Sequence, residues 1–267
     1  MERIAIIGLG LIGTSMGLAL KQAKLPNIEI VGHDKDPAHA TKAHKRGAVD
    51  KTYYNLHSAI EGARLVIIAT PVMAIRDVLH SIAQSVEPGV VITDTGSTKG
   101  QVLHWAQELL PETVSFVGGH PLGSKEESGP DAASADLFKG VPYCIVPGKG
   151  ADPDAVKSVA GLAESVGATP YFIDAYEHDS YMAAVSHLPF LLSTALVGVT
   201  TRSPGWRDMS KVASTGYRDI TRLASADPEV HRDICLTNRE GIVFWLDEFI
   251  KALYELRNTV KQSDTAP

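Results

Sequence analysis

Short β-branched runs alternate with helix-length amphipathic segments over the first two thirds of the chain. The runs are 3-RIAII-7, 28-IEIVGH-33, 65-LVIIA-69, 90-VVIT-93, 115-SFVGG-119, 142-PYCIV-146 and 170-PYFID-174. Several are apolar at every position rather than at alternate ones, which is the pattern of strands covered on both faces. Between the first two, Ile12, Met16, Ala19, Leu20 and Ala23 fall on one stripe at helical spacing. Repeated strand–helix units of this kind predict an α/β fold with a doubly wound, mainly parallel sheet. After Asp174 the strand signals stop, and from Glu177 onward the chain reads as helix, with a kink expected at Pro189. Near the end, Ile242, Trp245, Phe249, Leu253, Leu256 and Val260 make a long apolar stripe. Two units are therefore expected, residues 1–174 and an all-helical 175–267. The stripe packs within the second unit or buries itself against a second copy, and periodicity does not choose between these.

Composition narrows the classes. With 267 residues, 44% hydrophobic and 21% charged, the chain can bury a substantial core. Its net charge of −6 and the lack of any basic block leave no electrostatic footprint for nucleic acid. Cys144 and Cys235 are far apart and form no CxxC pair, so neither a disulfide framework nor a zinc site is expected, and no other metal site is predicted. The sequence enters a strand-like run at once, without a basic leader. The apolar segment from Leu188 to Val199 reads as too short and too interrupted by Ser and Thr to span a bilayer. A cytoplasmic protein without membrane partners is the expectation.

Chemistry first appears at 8-GLGLIG-13, directly after the first strand and at the mouth of the first helix. Alone, a G-x-G-x-x-G is a weak signal. In this context Gly8, Gly10 and Gly13 let the backbone turn tightly and approach a pyrophosphate at a helix N-terminus, with Leu9, Leu11 and Ile12 completing the loop. This is a Rossmann-type dinucleotide site. The second strand ends at Asp34, where a carboxylate bonds both ribose hydroxyls and repels a 2′-phosphate, so NAD is the expected cofactor. The stretch 66-VIIATPV-72 places Thr70 and Pro71 at the sheet's carboxyl edge, against the nicotinamide ribose.

Two further strand ends carry polar groups, 93-TDTGSTKG-100 and 118-GGHPLGSKEESG-129. In an open α/β sheet, ligands bind outside the carboxyl ends of the strands. Ser97, Lys99 and His120 are therefore expected to face one crevice with the nicotinamide. An NAD enzyme oxidising an alcohol must take the hydroxyl proton as the hydride leaves, and histidine suits that task because it titrates near neutrality. Ser97 is expected to fix the imidazole tautomer or the substrate hydroxyl by a hydrogen bond.

Together with 178-HDSYMAAVSHLP-189 and 216-GYRDITRLASADP-228, these motifs resemble the prephenate/arogenate dehydrogenase family of tyrosine biosynthesis, over nearly the whole chain. The resemblance implies a Rossmann domain followed by a helical dimerisation domain, hence a homodimer. It implies that prephenate is oxidised and decarboxylated to 4-hydroxyphenylpyruvate with NAD. The alternative is arogenate, or both substrates, and an amino-substituted prephenate analogue stays open. By position it implies His120 as the catalytic base and Ser97 as its positioning partner. It also implies that Arg222 grips a substrate carboxylate, that Glu126 is an acid at the pocket mouth, and that Asp219 reaches the pocket from the partner subunit. His187 takes a structural or binding role.

Four positions depart from the family pattern, namely Phe190, His231, Ser124 and Lys125, all where the substrate side chain and entrance are expected. A cationic Lys125 or His231 there favours the anionic keto acid over the zwitterion. The resemblance ends with the sequence, so no appended regulatory domain is expected. Two rivals remain. A β-hydroxyacid dehydrogenase needs a helical lysine, and Lys211 in 209-MSKVAS-214 does not resemble that motif. A non-catalytic NAD-binding module has no need of Ser97, His120 and Arg222 together.

Overall fold

The computed structural model describes residues 2–262 apart from Ser124 and Glu126. Eight strands form one sheet in the order β3-β2-β1-β4-β5-β6-β7-β8. They are β1 (Glu2–Ile7), β2 (Ile28–His33), β3 (Lys51–Thr52), β4 (Ala63–Ile68), β5 (Val91–Asp94), β6 (Ser115–Pro121), β7 (Pro142–Pro147) and β8 (Thr169–Phe172). All pairings are parallel except β6 with β7. Seven strands answer to the apolar runs. The two-residue edge strand β3 was not expected, because it is too short and polar to show a period.

Helices α1 (Leu11–Gln22), α2 (Pro37–Lys45), α3 (Leu56–Ile60), α4 (Val72–Ile82), α5 (Gly100–Leu109) and α6 (Pro153–Ser165) cover both faces. Alternate residues of β1 show why the runs are continuously apolar. Ile4 and Ile6 join Met16, Leu20 and Val159 on one side, while Ala5 and Ile7 join Ile75, Leu79 and Trp105 on the other. The chain runs outward from β1 to β3 and then from β4 in the opposite direction. The reversal opens a crevice at the carboxyl ends of β1 and β4.

The rest is helical, with α7 (Ala175–Met182), α8 (Leu188–Thr201), α9 (Trp206–Val212), α10 (Thr215–Thr221), α11 (Pro228–Thr237) and α12 (Arg239–Gln262). A π-helical turn, Ala183–His187, joins α7 to α8 just ahead of Pro189, whose missing N–H the wider turn accommodates. The resulting run Ala175–Thr201 has 27 residues and is long and apolar enough to cross a membrane, by length and composition. This corrects the shorter segment expected from sequence. Its polar residues His178, Asp179 and His187 are engaged within the protein.

Two carboxylates dock the helical part on the sheet. The helix starts at α4 and α5 have no side-chain cap of their own. Asp179 accepts from the N–H groups of Lys99 (2.7 Å) and Gly100 (2.8 Å) at α5, and Asp233, 1% exposed, accepts from Met73 N (3.2 Å) at α4. Each thereby satisfies donors that a helix start otherwise leaves open.

Candidate active site

The crevice carries the expected nucleotide features. Gly8 has φ +95°, and a Cβ there would lie 2.5 Å from the carbonyl oxygen of Ala69, so 69–71 packs directly on the glycine turn. A Cβ at Gly13 would lie 1.9 Å from the carbonyl oxygen of Gly8, which leaves glycine as the only fit. A Cβ at Gly10 would meet nothing within 4 Å, so the backbone is open at the N-terminus of α1. That helix has no side-chain cap and no acidic residue in its first turn. Its uncovered N–H groups and dipole fit a pyrophosphate. Asp34 ends the adjacent strand with its carboxylate held in place, accepting from Leu9 N (2.6 Å) and Asp36 N (2.8 Å). Thr70 and Pro71 stand at the carboxyl end of β4, in the loop against Gly8.

One structural device explains the two glycines before His120. The parallel pairing of β5 with β6 ends at Thr93 and Val117. Beyond it, Asp94 and Lys99, both fully buried, form an ion pair that takes over from the ladder. Lys99 Nζ donates to the Gly119 carbonyl (2.7 Å), and Asp94 accepts from Gly119 N (3.2 Å) and Gly96 N (2.8 Å). A Cβ at Gly119 would come within 2.6 Å of the Asp94 carbonyl and 2.8 Å of the Tyr143 hydroxyl, and one at Gly118 within 3.1 Å of Lys99. The residue preceding His120 is thus fixed at both backbone polar groups. Lys99 does not face the crevice as expected. It lies beneath the strand, because a buried Asp94 requires a cation beside it.

His120 is in β6 itself and partly exposed at the crevice, across from Cys144 on β7. Its Nδ1 meets Nε2 of the fully buried His178 at 2.9 Å, with the rings edge to face. His178 Nδ1 in turn meets the Asp179 carboxylate at 2.8 Å. A carboxylate only accepts, so His178 Nδ1 donates, and in the neutral ring its Nε2 then accepts. His120 Nδ1 therefore donates, and Nε2 of His120 keeps its lone pair. Burial first, then the neighbouring His178, Lys99 and His187, hold this imidazole well below its ordinary range of titration. The ring is neutral at pH 7 and ready to accept a proton.

His178 and Asp179 were not assigned from sequence. They belong to the HDSY stretch 58 residues after His120, and only the docking of α7 against the end of β6 brings them there. The tautomer is set by His178 rather than by Ser97, whose side chain is half-buried in the loop after β5.

Of the helical candidates, Arg222 opens a tight turn, Arg222–Ser225, that packs on α8 and is held by Ser193 Oγ, which accepts from Ala224 N (2.9 Å). Asp219 is exposed on α10 and makes no side-chain hydrogen bond among the described residues. Lys125 donates to the Ala132 carbonyl (3.2 Å). Glu126 and Ser124 lie outside the described residues. Phe190 stacks on His231, with ring centroids 3.7 Å apart and planes 15° apart. Burial lowers the His231 imidazole against the opposing influence of Asp227, so it stands as a neutral aromatic wall and not as the expected cation.

His187 sits in the π-turn, 1% exposed, with Nδ1 accepting from Asn238 Nδ2 (3.2 Å) and Nε2 without a partner among the described residues. Burial, aided by His178 and His231 and opposed by Asp179, pushes its pKa from 6.5 down to about 4. The folded state thus resists a proton that the unfolded state accepts. The stability contribution is complete above pH 6.5 and is lost as pH falls toward 4, by ~3 kcal/mol. Urea denaturation from pH 7 to 4 is expected to show a steeper loss for the wild type than for His187→Gln. Equal slopes reject this.

Two family profiles divide the chain between them. One described as "Prephenate dehydrogenase, nucleotide-binding domain" matches residues 16–171, and one described as "Prephenate dehydrogenase, dimerization domain" matches residues 174–266. The chain is 37% identical over 265 residues to prephenate dehydrogenase of Bacillus subtilis (strain 168), covering 98% of this chain and 71% of that protein. It is 32% identical to cyclohexadienyl dehydrogenase of Zymomonas mobilis, covering 98% of this chain and 90% of that one. A crystal structure of prephenate dehydrogenase from A. aeolicus, in complex with hydroxyphenyl propionate and NAD+, superposes with TM-score 0.91 at 28% identity. It covers 98% of this chain and 91% of its own.

Proposed function

The chain belongs to the prephenate dehydrogenase family, and on that premise we propose how its residues carry out the oxidative decarboxylation of prephenate to 4-hydroxyphenylpyruvate. It is an NAD-dependent oxidoreductase. The observation that carries the reading is the hydrogen-bonded chain from Asp179 through His178 to Nδ1 of His120, which leaves Nε2 of that ring for the substrate proton.

Gly8, Leu9, Gly10, Leu11, Ile12 and Gly13 hold the pyrophosphate, Asp34 the adenosine ribose, and Thr70 and Pro71 the nicotinamide side. Bound there, NAD supplies the acceptor for the hydride that leaves C4 of the substrate ring. His120 Nε2 takes the C4 hydroxyl proton, and Ser97 positions that hydroxyl. The imidazolium keeps its Nδ1–H on His178, with the Asp179 carboxylate beyond it balancing the new charge. Arg222 clamps a substrate carboxylate, since a guanidinium binds two oxygens at once. Lys125 and Glu126 are assigned to the entrance and side-chain end, His187 to a buried structural or binding role, and Asp219 to the partner's site. Aromatisation drives loss of carbon dioxide, so these residues need only orient the ring and remove one proton.

Residues 1–174 form the dinucleotide unit and 175–267 the helical substrate and dimerisation unit of a homodimer, working in the cytoplasm in tyrosine biosynthesis. The dimerization profile and the exposed Phe244, Leu253, Leu256 and Val260 of α12 support the second copy. The cyclohexadienyl dehydrogenase relative supports arogenate as a second substrate. Parallel assays with prephenate and arogenate, each with NAD and NADP, test the proposal. The highest kcat/KM is expected for prephenate with NAD, with 4-hydroxyphenylpyruvate as product. A higher value for arogenate reverses the substrate assignment, and no reduction of NAD with either rejects the function.

A further inference from the structure

The segment that follows His120 is fastened to the far side of the nucleotide-binding unit. The described residues between β6 and β7 leave the sheet's carboxyl edge and return to it, with Lys125 on the outgoing leg. On the returning leg the Arg46 guanidinium, at the C-terminal end of α2, donates to the carbonyls of Pro130 (2.5 Å), Asp131 (2.6 Å) and Ala133 (2.7 Å). A rigid fork of donors suits three converging carbonyls in a way that a lysine ammonium does not. Between them the Ala132 carbonyl accepts from Lys125, so the outgoing leg is tied to the point that Arg46 grips. Lys42 of α2 pairs with Asp131 at 2.5 Å, and Ser15 of α1 accepts from Ser134 N at 3.0 Å. At its other end, α2 is capped by Asp36, whose own N–H bonds the Asp34 carboxylate at 2.8 Å. One short helix thus joins the ribose carboxylate to the loop beside the reacting centre.

We infer that Arg46 is a positioning residue that orders the substrate-side loop and makes cofactor occupancy and substrate affinity interdependent. This rests on the placement of substrate beside His120 and Lys125 proposed above. Without the guanidinium, the loop must be ordered by the substrate itself, and that entropy is lost from substrate binding. His120 is held by His178, and Gly119 before it by Asp94 and Lys99, through none of the bonds that Arg46 makes, so the chemical step is left intact. Dinucleotide binding that steadies Asp34 and α2 steadies the loop, and by linkage the reverse holds.

The test uses the full-length enzyme with Arg46→Ala, Arg46→Lys and, as a control, the exposed neighbour Lys45→Ala. Calorimetric titration of hydroxyphenyl propionate, with and without NAD, measures the coupling, and steady-state kinetics with prephenate measures KM and kcat. Arg46→Ala is expected to raise KM about tenfold with kcat within about twofold, and to abolish the tightening of the analogue by NAD. NAD affinity in the absence of analogue changes by less than about twofold. Arg46→Lys falls between, and Lys45→Ala matches the wild type. An unchanged KM and intact coupling in both Arg46 variants overturn the inference while leaving the activity standing. Equal weakening of NAD alone also overturns it, because Arg46 then serves only the nucleotide side. A wild type inactive on prephenate removes the premise instead.

Discussion

Asn in place of His120 is expected to lower kcat by about 10²–10⁴-fold, the usual range for loss of a positioned acid–base group, while NAD binds as before. The amide retains a polar side chain of similar reach but has no basic nitrogen to take the hydroxyl proton. Gly119 stays clamped by Asp94 and Lys99, so β6 and the crevice keep their shape. Fluorescence titration with the dinucleotide separates this from unfolding. The wild-type pH profile supplies a second readout. Burial first, then the neighbouring His178, Lys99 and His187, lower the His120 pKa, so its active neutral form persists through neutrality. The kcat/KM limb is lost only as pH falls through that depressed value. In the Asn variant, the residual rate is expected to lack that limb. Turnover that survives the substitution with its limb intact would assign the base to another residue.

Removing His178 is expected to have the next largest effect. Its imidazole fixes which nitrogen of His120 carries the proton and connects that ring to Asp179. With Leu at this buried position, the His120 Nδ1–H loses its acceptor and the ring loses its orientation. Misplacement of a reacting group by about 1 Å costs about 10²-fold, and we expect a loss of that size in kcat with KM for prephenate little changed. Gln at 178 retains an amide oxygen for His120 Nδ1–H and an N–H for Asp179, so it is expected to recover part of the loss. A purely structural role predicts losses that follow thermal stability across Leu and Gln, with KM and kcat moving together. Measuring melting temperature beside kcat and KM for both variants decides between these outcomes.

The three site glycines of the nucleotide loop illustrate what a linear chain can announce. Gly8 and Gly13 have no space for a side chain, Gly10 leaves the backbone open, and all three stand between a strand and a helix that periodicity already marks. The information is local, because a turn and the helix that follows it are contiguous. The same holds for Asp34 at the end of β2 and for His120 after Gly118 and Gly119. Lys99 shows where locality misleads. A lysine in a polar loop reads as a group facing the ligand, yet it lies fully buried because Asp94 needs a counter-charge beneath β6. His231 is a second case. It reads as a cation, but it stacks on Phe190 and its partial burial keeps it neutral.

The sequence by itself determined the alternation of strands and helices and the nucleotide turn, since each follows from side-chain period or backbone freedom over a few neighbouring residues, and it singled out His120 as the imidazole proposed as the base. Only the tertiary structure decided which nitrogen of that imidazole is free, what neutralises its surroundings and how the loop beyond it is held. Those outcomes depend on hydrogen bonds and desolvation between residues far apart in the chain, such as His120 with His178 and Arg46 with Pro130. Distances of that kind are set by how helices dock on a sheet, and no local pattern of residues encodes them.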